Sequence, residues 1–137
     1  MSKLFGPNSA RSTNATDLTC ITAMQAGRAV ATILAKGTGK KGKIIVGKDT
    51  SVTSDVFEAV ICAGICSEGV NAETLGIVPI SAVASLVNHR KADAGIMISA
   101  THGSSESIGI KIFSPEGYRF GSKIENQIEQ LFSGLTV

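Results

Sequence analysis

Two apolar runs in the second half of the chain, Gly95–Ile98 and Gly109–Phe113, enclose a loop of hydroxyls, glycine, one histidine and one glutamate. Both runs are short, rich in Ile and bounded by turn residues, so both read as buried strands. Only nine residues, Ser99–Ser107, join them. A parallel crossover needs about a dozen or more, so this pair must run antiparallel. An apolar run that delivers a hydroxyl and an imidazole to an exposed turn is also how a buried sheet presents reactive groups. Thr101 and His102 are therefore candidates for chemistry.

Upstream, strand-like and helix-like patterns alternate. Residues 1–16 are rich in Ser, Asn, Thr, Gly and Pro and read as loop. Thr19 is the expected N-cap of a helix whose apolar stripe carries Ile21, Met24, Ala31 and Leu34. Gly37–Gly42 ends that helix, and Lys43–Gly47 is a short apolar strand. Asp49 and Thr50 brace the turn that follows. Ser54 is the expected cap of a second helix that runs through Ser67 and stops at Glu68-Gly69. Asn71–Val78 reads as a strand ended by Pro79, Ser81–His89 as a third helix, Asp93–Ile98 and Ile108–Phe113 as strands. Ser122–Phe132 closes with an amphipathic helix carrying Ile124, Ile128, Leu131 and Phe132. Alternation of this kind implies parallel pairing through right-handed crossovers. The expected fold is a three-layer α/β/α domain with a four-stranded mixed sheet whose last strand is antiparallel. Ligands of such sheets sit beyond the strand carboxyl ends, where the Lys48 and Thr101 loops would meet.

Composition narrows the function classes. At 137 residues the chain forms one domain, 1–137. One Tyr, five Phe and no Trp leave the core to Ile, Val, Leu and Ala. A formal charge of +2, with Lys36, Lys40, Lys41 and Lys43 interleaved with glycines, points to a solvated loop and no nucleic-acid surface. No apolar run approaches the roughly 20 residues of a membrane span, and no leader opens the chain, so no membrane partner and a cytoplasmic location are expected. Cys62 and Cys66, four apart on a helix, read as small buried thiols. Gly-Thr-Gly-Lys-Lys-Gly at 37–42 precedes a strand, whereas a phosphate-cradling P-loop follows one. The lack of a Gly-x-Gly-x-x-Gly after a strand likewise argues against a nucleotide binder.

Several ordered motifs carry a resemblance to one family. Ser99-Ala100-Thr101-His102, followed by Gly109-Ile110-Lys111, is similar to the Ser-Ala-Ser-His-Asn-Pro and Asn-Gly-Ile-Lys segments of the alpha-D-phosphohexomutases. These are the phosphoglucomutases, phosphomannomutases and phosphoglucosamine mutases. Lys3-Leu4-Phe5-Gly6 with Arg11 resembles the family's opening motif in an archaeal-looking version. Val46-Gly47-Lys48-Asp49-Thr50 resembles its Val-Gly-Arg-Asp-Thr-Arg, and Leu75-Gly76-Ile77-Val78-Pro79 its Leu-Gly-x-x-Pro. Ala92–Ile98 and Pro115-Glu116-Gly117 add two further matches. The resemblance spans nearly the whole chain and corresponds to the first, N-terminal domain of a four-domain enzyme.

This resemblance implies intramolecular phosphotransfer on hexose phosphates, with the phosphoryl group carried at Thr101. His102 and Lys111 would lie near the reacting oxygens, and Arg11 on the phosphorylated loop. Mg²⁺ would be bound through the phosphate on Thr101, with its aspartate ligands outside this chain. Among Asp17, Asp49, Asp55 and Asp93 no Asp-x-Asp-x-Asp occurs. The hexose phosphate would be engaged only with further domains, so the chain alone should be inactive. Apolar surface left by missing neighbours implies a homo-oligomer or association with those domains.

Departures concentrate at the chemistry. Thr101 stands for serine, Gly103-Ser104 for Asn-Pro, Ile108 for Asn, and Lys48 and Ser51 for two arginines. The alternative is thus a catalytically silent stand-alone domain that binds a protein partner or a phosphorylated ligand. Read singly, Thr101 is also a loop threonine bonding its own backbone, His102 a solvated turn residue, Arg11 a solvent-exposed cation, and Lys111 a snorkelling edge-strand lysine.

Overall fold

The structure, a computed structural model, describes residues 10–11, 19–37, 39–101 and 107–135, with the backbone alone at 10, 11, 100, 101 and 107. The elements are β1 (Ala10–Arg11), α1 (Cys20–Leu34), β2 (Lys43–Lys48), α2 (Val52–Ser67), β3 (Asn71–Ile77), α3 (Ile80–His89), β4 (Ala94–Thr101), β5 (Ser107–Phe113) and α4 (Ser122–Leu135). They build one mixed sheet in the order β1-β5-β4-β2-β3. β2 is parallel to β3 and β4, while β4 and β5 run antiparallel as their short connection demands. The expected four strands are all present.

The fifth, β1, is only two residues long and pairs Ala10 with Ile110 and Arg11 with Gly109. Its segment carries no apolar periodicity, so nothing in its sequence distinguishes it from loop. Backbone pairing joins it to the open edge of β5.

Helices cover the two faces unequally. Ile44, Val46, Ile96, Ile98, Ile110 and Ile112 pack against Ala26 and Val30 of α1, Ile61 and Ile65 of α2, and Ile128 and Phe132 of α4. On the other face Ile45, Met97 and Phe113 meet Val83 and Val87 of α3. Glycines on that second face let α3 approach closely. A Cβ at Gly47 would lie 2.6 Å from Val83 Cγ2 and 2.7 Å from Val78 Cγ2.

Helix ends follow local chemistry. Thr19 caps α1 by accepting from the Thr22 amide at 3.1 Å, while Thr22 Oγ1 accepts from the Thr19 amide at 2.7 Å. This is a reciprocal capping box with threonine in the role usually given to glutamate. Gly69, at φ 79°, follows the last turn of α2 and donates to Cys66 O at 3.0 Å, the left-handed exit that glycine makes without strain. Ser54 corrects one expectation. It does not cap α2, which begins at Val52 after Ser51; Ser54 is fully buried inside the first turn and serves the preceding loop.

Where α1 and α2 run out together, Glu68 gathers three donors: Arg28 Nε at 2.9 Å, Lys36 Nζ at 3.2 Å and Thr32 Oγ1 at 3.3 Å. The Arg28 guanidinium first, and Lys36 second, hold the Glu68 carboxyl below its ordinary value of 4.5. A carboxyl whose folded pKa is depressed contributes stability that is present above the ordinary value and is lost as pH falls through the folded one. Thermal unfolding followed against pH should therefore show an acid-side loss below about 4.5 that Glu68→Gln removes, together with lower stability of that variant at pH 7. Parallel curves for the two proteins would refute the link.

Candidate functional site

The parallel strands β2 and β4 end side by side, with Lys48 in register with Ile98. β4 then continues for three residues to Thr101, which faces Ser107 of β5 across the antiparallel ladder. Thr101 thus stands at the carboxyl end of a central strand, the place where open α/β sheets bind ligands. The remainder of its loop, His102 included, lies outside the described residues.

Lacing at this end of the sheet is dense. The Asp49 amide donates to Ile98 O at 3.1 Å, and the Val78 amide to Lys48 O at 3.1 Å, so the β2–α2 turn is tied to both neighbouring strands. Asp49 Oδ1 accepts from the Ser51 amide at 3.0 Å and from Ser54 Oγ at 2.5 Å. Asp49 therefore braces the turn, as its sequence position suggests, with a buried hydroxyl as the second strut.

Arg11 and Lys111 reach the same region by different routes. β1 sets Arg11 opposite Gly109, and Gly109 in turn faces Ser99. That row is two residues from the Thr101–Ser107 pair, about 7 Å along the strand. Lys111 faces Met97, four residues from Thr101, or about 13 Å along the strand. It shares the α3 face with Met97 while Ile110 and Ile112 point to the other, as period-two alternation requires. Lys111 is partly buried. The fold brings the backbones of Arg11 and Thr101 together, and it leaves Lys111 deeper along the sheet.

A charged cluster that sequence reading missed lies beside Thr101's strand. Lys48 Nζ sits 2.6 Å from Asp55 Oδ1 and 3.2 Å from Glu58 Oε1. The hydrogen bond to Asp55 first, and that to Glu58 second, raise the Lys48 pKa above its ordinary 10.5 and keep it charged. Asp55 and Glu58 stand three apart on α2, a spacing that shares a helix face. That signal was in the sequence, but which element the face meets was not.

Glu58 also bears on a neighbouring thiol. Burial chiefly, and the Glu58 charge next, push Cys62 up to about 11. Cys66 corrects the expectation of two buried thiols, for it is exposed, as is Cys20. At pH 8 a thiol at about 11 carries about a hundredfold less thiolate than one at the ordinary 9.0. Iodoacetamide labelling read by peptide mass should modify Cys20 and Cys66 well before Cys62, and equal rates would contradict this.

No group of three or more His, Cys, Asp or Glu side chains among the described residues could hold a metal ion. Asp49 is committed to its turn and Asp55 to Lys48, so these residues do not fit a Mg²⁺ site of their own. Among the described residues no helix is long and apolar enough to cross a membrane.

Comparison with known proteins agrees with this geometry. The family model for phosphoglucomutase/phosphomannomutase, alpha/beta/alpha domain I, matches residues 2–136. Phosphoglucosamine mutase of Alkaliphilus oremlandii is 44% identical over 129 residues, covering 94% of this chain and 29% of that protein. The phosphoglucosamine mutase of Clostridium perfringens is 45% identical over 131 residues, covering 96% and 29%. Among solved structures, a putative phosphomannomutase from Thermus thermophilus superposes with a TM-score of 0.83 at 26% identity, covering 96% of this chain and 30% of that one. Parafusin, a phosphoglucomutase from Paramecium, gives 0.74 at 14% identity, covers 97% of this chain and 25% of that one, and shares the fold. The chain thus spans 29% of the length of the curated relatives it matches.

Proposed function

Because this chain belongs to the phosphoglucomutase/phosphomannomutase family, as its α/β/α domain I, we propose that it serves phosphotransfer on hexose phosphates by carrying the phosphoryl group at Thr101. The observation that supports this most is the placement of Thr101 at the carboxyl end of β4, beside the laced Lys48–Ser54 turn. In this reading the phosphoryl group leaves the threonine oxygen for the sugar's free hydroxyl. The sugar's other phosphate then returns to the same oxygen. Phosphoryl transfer depends on positioning and charge stabilisation, which Arg11, His102 and Lys111 would supply. Mg²⁺ would contact the phosphate on Thr101 and take its carboxylate ligands from outside this chain, since Asp49 and Asp55 are otherwise engaged. The work would take place in the cytoplasm.

Alone the chain should not turn over, since it matches 29% of each relative's length and holds no metal cluster among its described residues. Exposed apolar residues support a need for neighbours. Val52 and Val56 open α2, Ile77 ends β3 and Ile80 opens α3, all at the end of the sheet that holds Lys48. An apolar rim of this kind marks an interaction surface. Sedimentation at rising concentration should show self-association that falls when Val52 and Val56 become serine; a strict monomer would contradict it.

The decisive test is intact mass with phosphopeptide mapping after exposure to glucose 1,6-bisphosphate and Mg²⁺, with and without the rest of a phosphoglucosamine mutase relative in trans. One phosphate on Thr101, and mutase activity in trans, are expected. No phosphate in either arm would favour a catalytically silent domain that binds a partner or a phosphorylated ligand, a reading to which the engaged charge of Lys48 lends weight.

A further inference from the structure

We propose that Cys62 and Cys66 form a two-thiolate clamp on α2 for a soft divalent cation of the mercuric kind, held in line between the two sulfurs.

The helix sets the pair. Both residues lie inside α2, four apart, so they share a face one turn from each other. Their surroundings differ. Cys62 is half-buried at the edge of the core that Ile61 and Ile65 fill, whereas Cys66 is exposed. Glu58, one further turn back, continues the stripe, and the charges of Glu58 and Cys66 both act on Cys62. The open sulfur catches an ion, and the sheltered one closes on it.

Distance decides between a bond and a bridge. Side chains at this spacing have Cβ atoms about 5–6 Å apart, and a disulfide needs about 3.5–4.5 Å. Direct oxidation of the pair would therefore distort α2. Two metal–sulfur bonds of about 2.3 Å, the length of a zinc thiolate, span about 4.6 Å end to end. The helix supplies that gap as it stands.

Ligand count and charge narrow the ion. Hard cations such as Mg²⁺ and Ca²⁺ take six or more oxygen ligands, and structural Zn²⁺ takes four ligands. Among the described residues no third His, Cys, Asp or Glu joins this pair to make such a set. Thiolates select soft ions. Two thiolates around a monovalent ion keep one negative charge, and around a divalent ion none. Glu58 Oε2 is buried and unpartnered among the described residues. A further negative charge one turn away, beside half-buried Cys62, is disfavoured. The neutral product, and with it the divalent ion, is preferred.

Hg²⁺ itself tests this, loaded at one equivalent on the Cys20→Ser chain, which lacks the other exposed thiol. The second sulfur of the clamp acts at an effective concentration of about 1 mM, so in dialysis against about 10 μM of a monothiol the pair should retain the ion about a hundredfold better than Cys62→Ser or Cys66→Ser. Cys66 is exposed, so its variant carries the comparison should Cys62→Ser fail to fold. Ala63→Cys combined with Cys66→Ser keeps two thiols but makes them neighbours, which do not face each other on a helix. It should retain the ion no better than a single thiol. Iodoacetamide mapping of the loaded protein should find Cys62 and Cys66 protected together. Equal retention by a single-thiol variant or by the shifted pair would overturn the clamp. So would alkylation of either sulfur in the loaded protein, or an ion shared between two copies of the chain.

Discussion

Gly64→Ala is expected to destabilise the domain by about 3 kcal/mol, the upper part of the range for overpacking a close contact. On a chain of this size that lowers Tm by about 10 °C. The Cβ it adds would drive into Met24 O and lie 3.1 Å from Arg28 N, both backbone atoms of α1. Those two atoms are the acceptor and donor positions of one helical i to i−4 step. A flexible side chain could move aside; a helix backbone cannot without shifting the whole α1–α2 contact. Gly27, whose Cβ would meet Ile61 O from the opposite side, shows that the crossing is tight in both directions. Gly134 in α4 supplies the contrast, for a Cβ placed there would meet nothing within 4 Å. There the same substitution should stabilise by about 0.5–1 kcal/mol through helix propensity alone. Thermal melts of both variants decide the matter, and an unchanged Tm for Gly64→Ala would show that the helices yield.

Thr101→Val is expected to abolish phosphate uptake from glucose 1,6-bisphosphate altogether, because it keeps the branched shape and removes the accepting oxygen. Thr101→Ser should do the opposite. Loss of the methyl frees χ1 and opens the in-line approach, and because small misplacements in phosphoryl transfer are expensive, uptake should rise about tenfold or more. Intact mass against time reads both. Phosphate still arriving on Thr101→Val would place the acceptor elsewhere, and a serine variant no faster than wild type would remove the steric account of the threonine.

Much of the fold was legible because it rests on local rules. The nine-residue connection between the two Ile-rich runs dictated antiparallel pairing, and β4 and β5 pair that way. Thr19 and Gly69 mark helix ends through chemistry within three or four residues. The motifs from Val46-Gly47-Lys48 to Gly109-Ile110-Lys111 pointed to the family whose domain I model matches residues 2–136. Ser54 misled because a serine near a helix start reads as a cap. Its hydroxyl instead answers Asp49, five residues back, from a buried position that no local pattern marks. Cys66 misled because four-residue spacing from Cys62 shares a face without saying how far that face turns toward solvent.

The sequence alone determined the order of the four helices and of the four longer strands, the direction of the last strand, the family and the candidate residues, since periodicity, turn chemistry and motif order are written in neighbouring positions. Only the tertiary structure decided that Arg11 is drawn onto the edge of β5 and that Lys48 is clasped by Asp55 and Glu58. Only it set Lys111 further along the sheet from Thr101 than Arg11. Edge pairing and ion pairs depend on which surfaces packing brings together, and that is settled by how three helices crowd one face of the sheet and one helix the other.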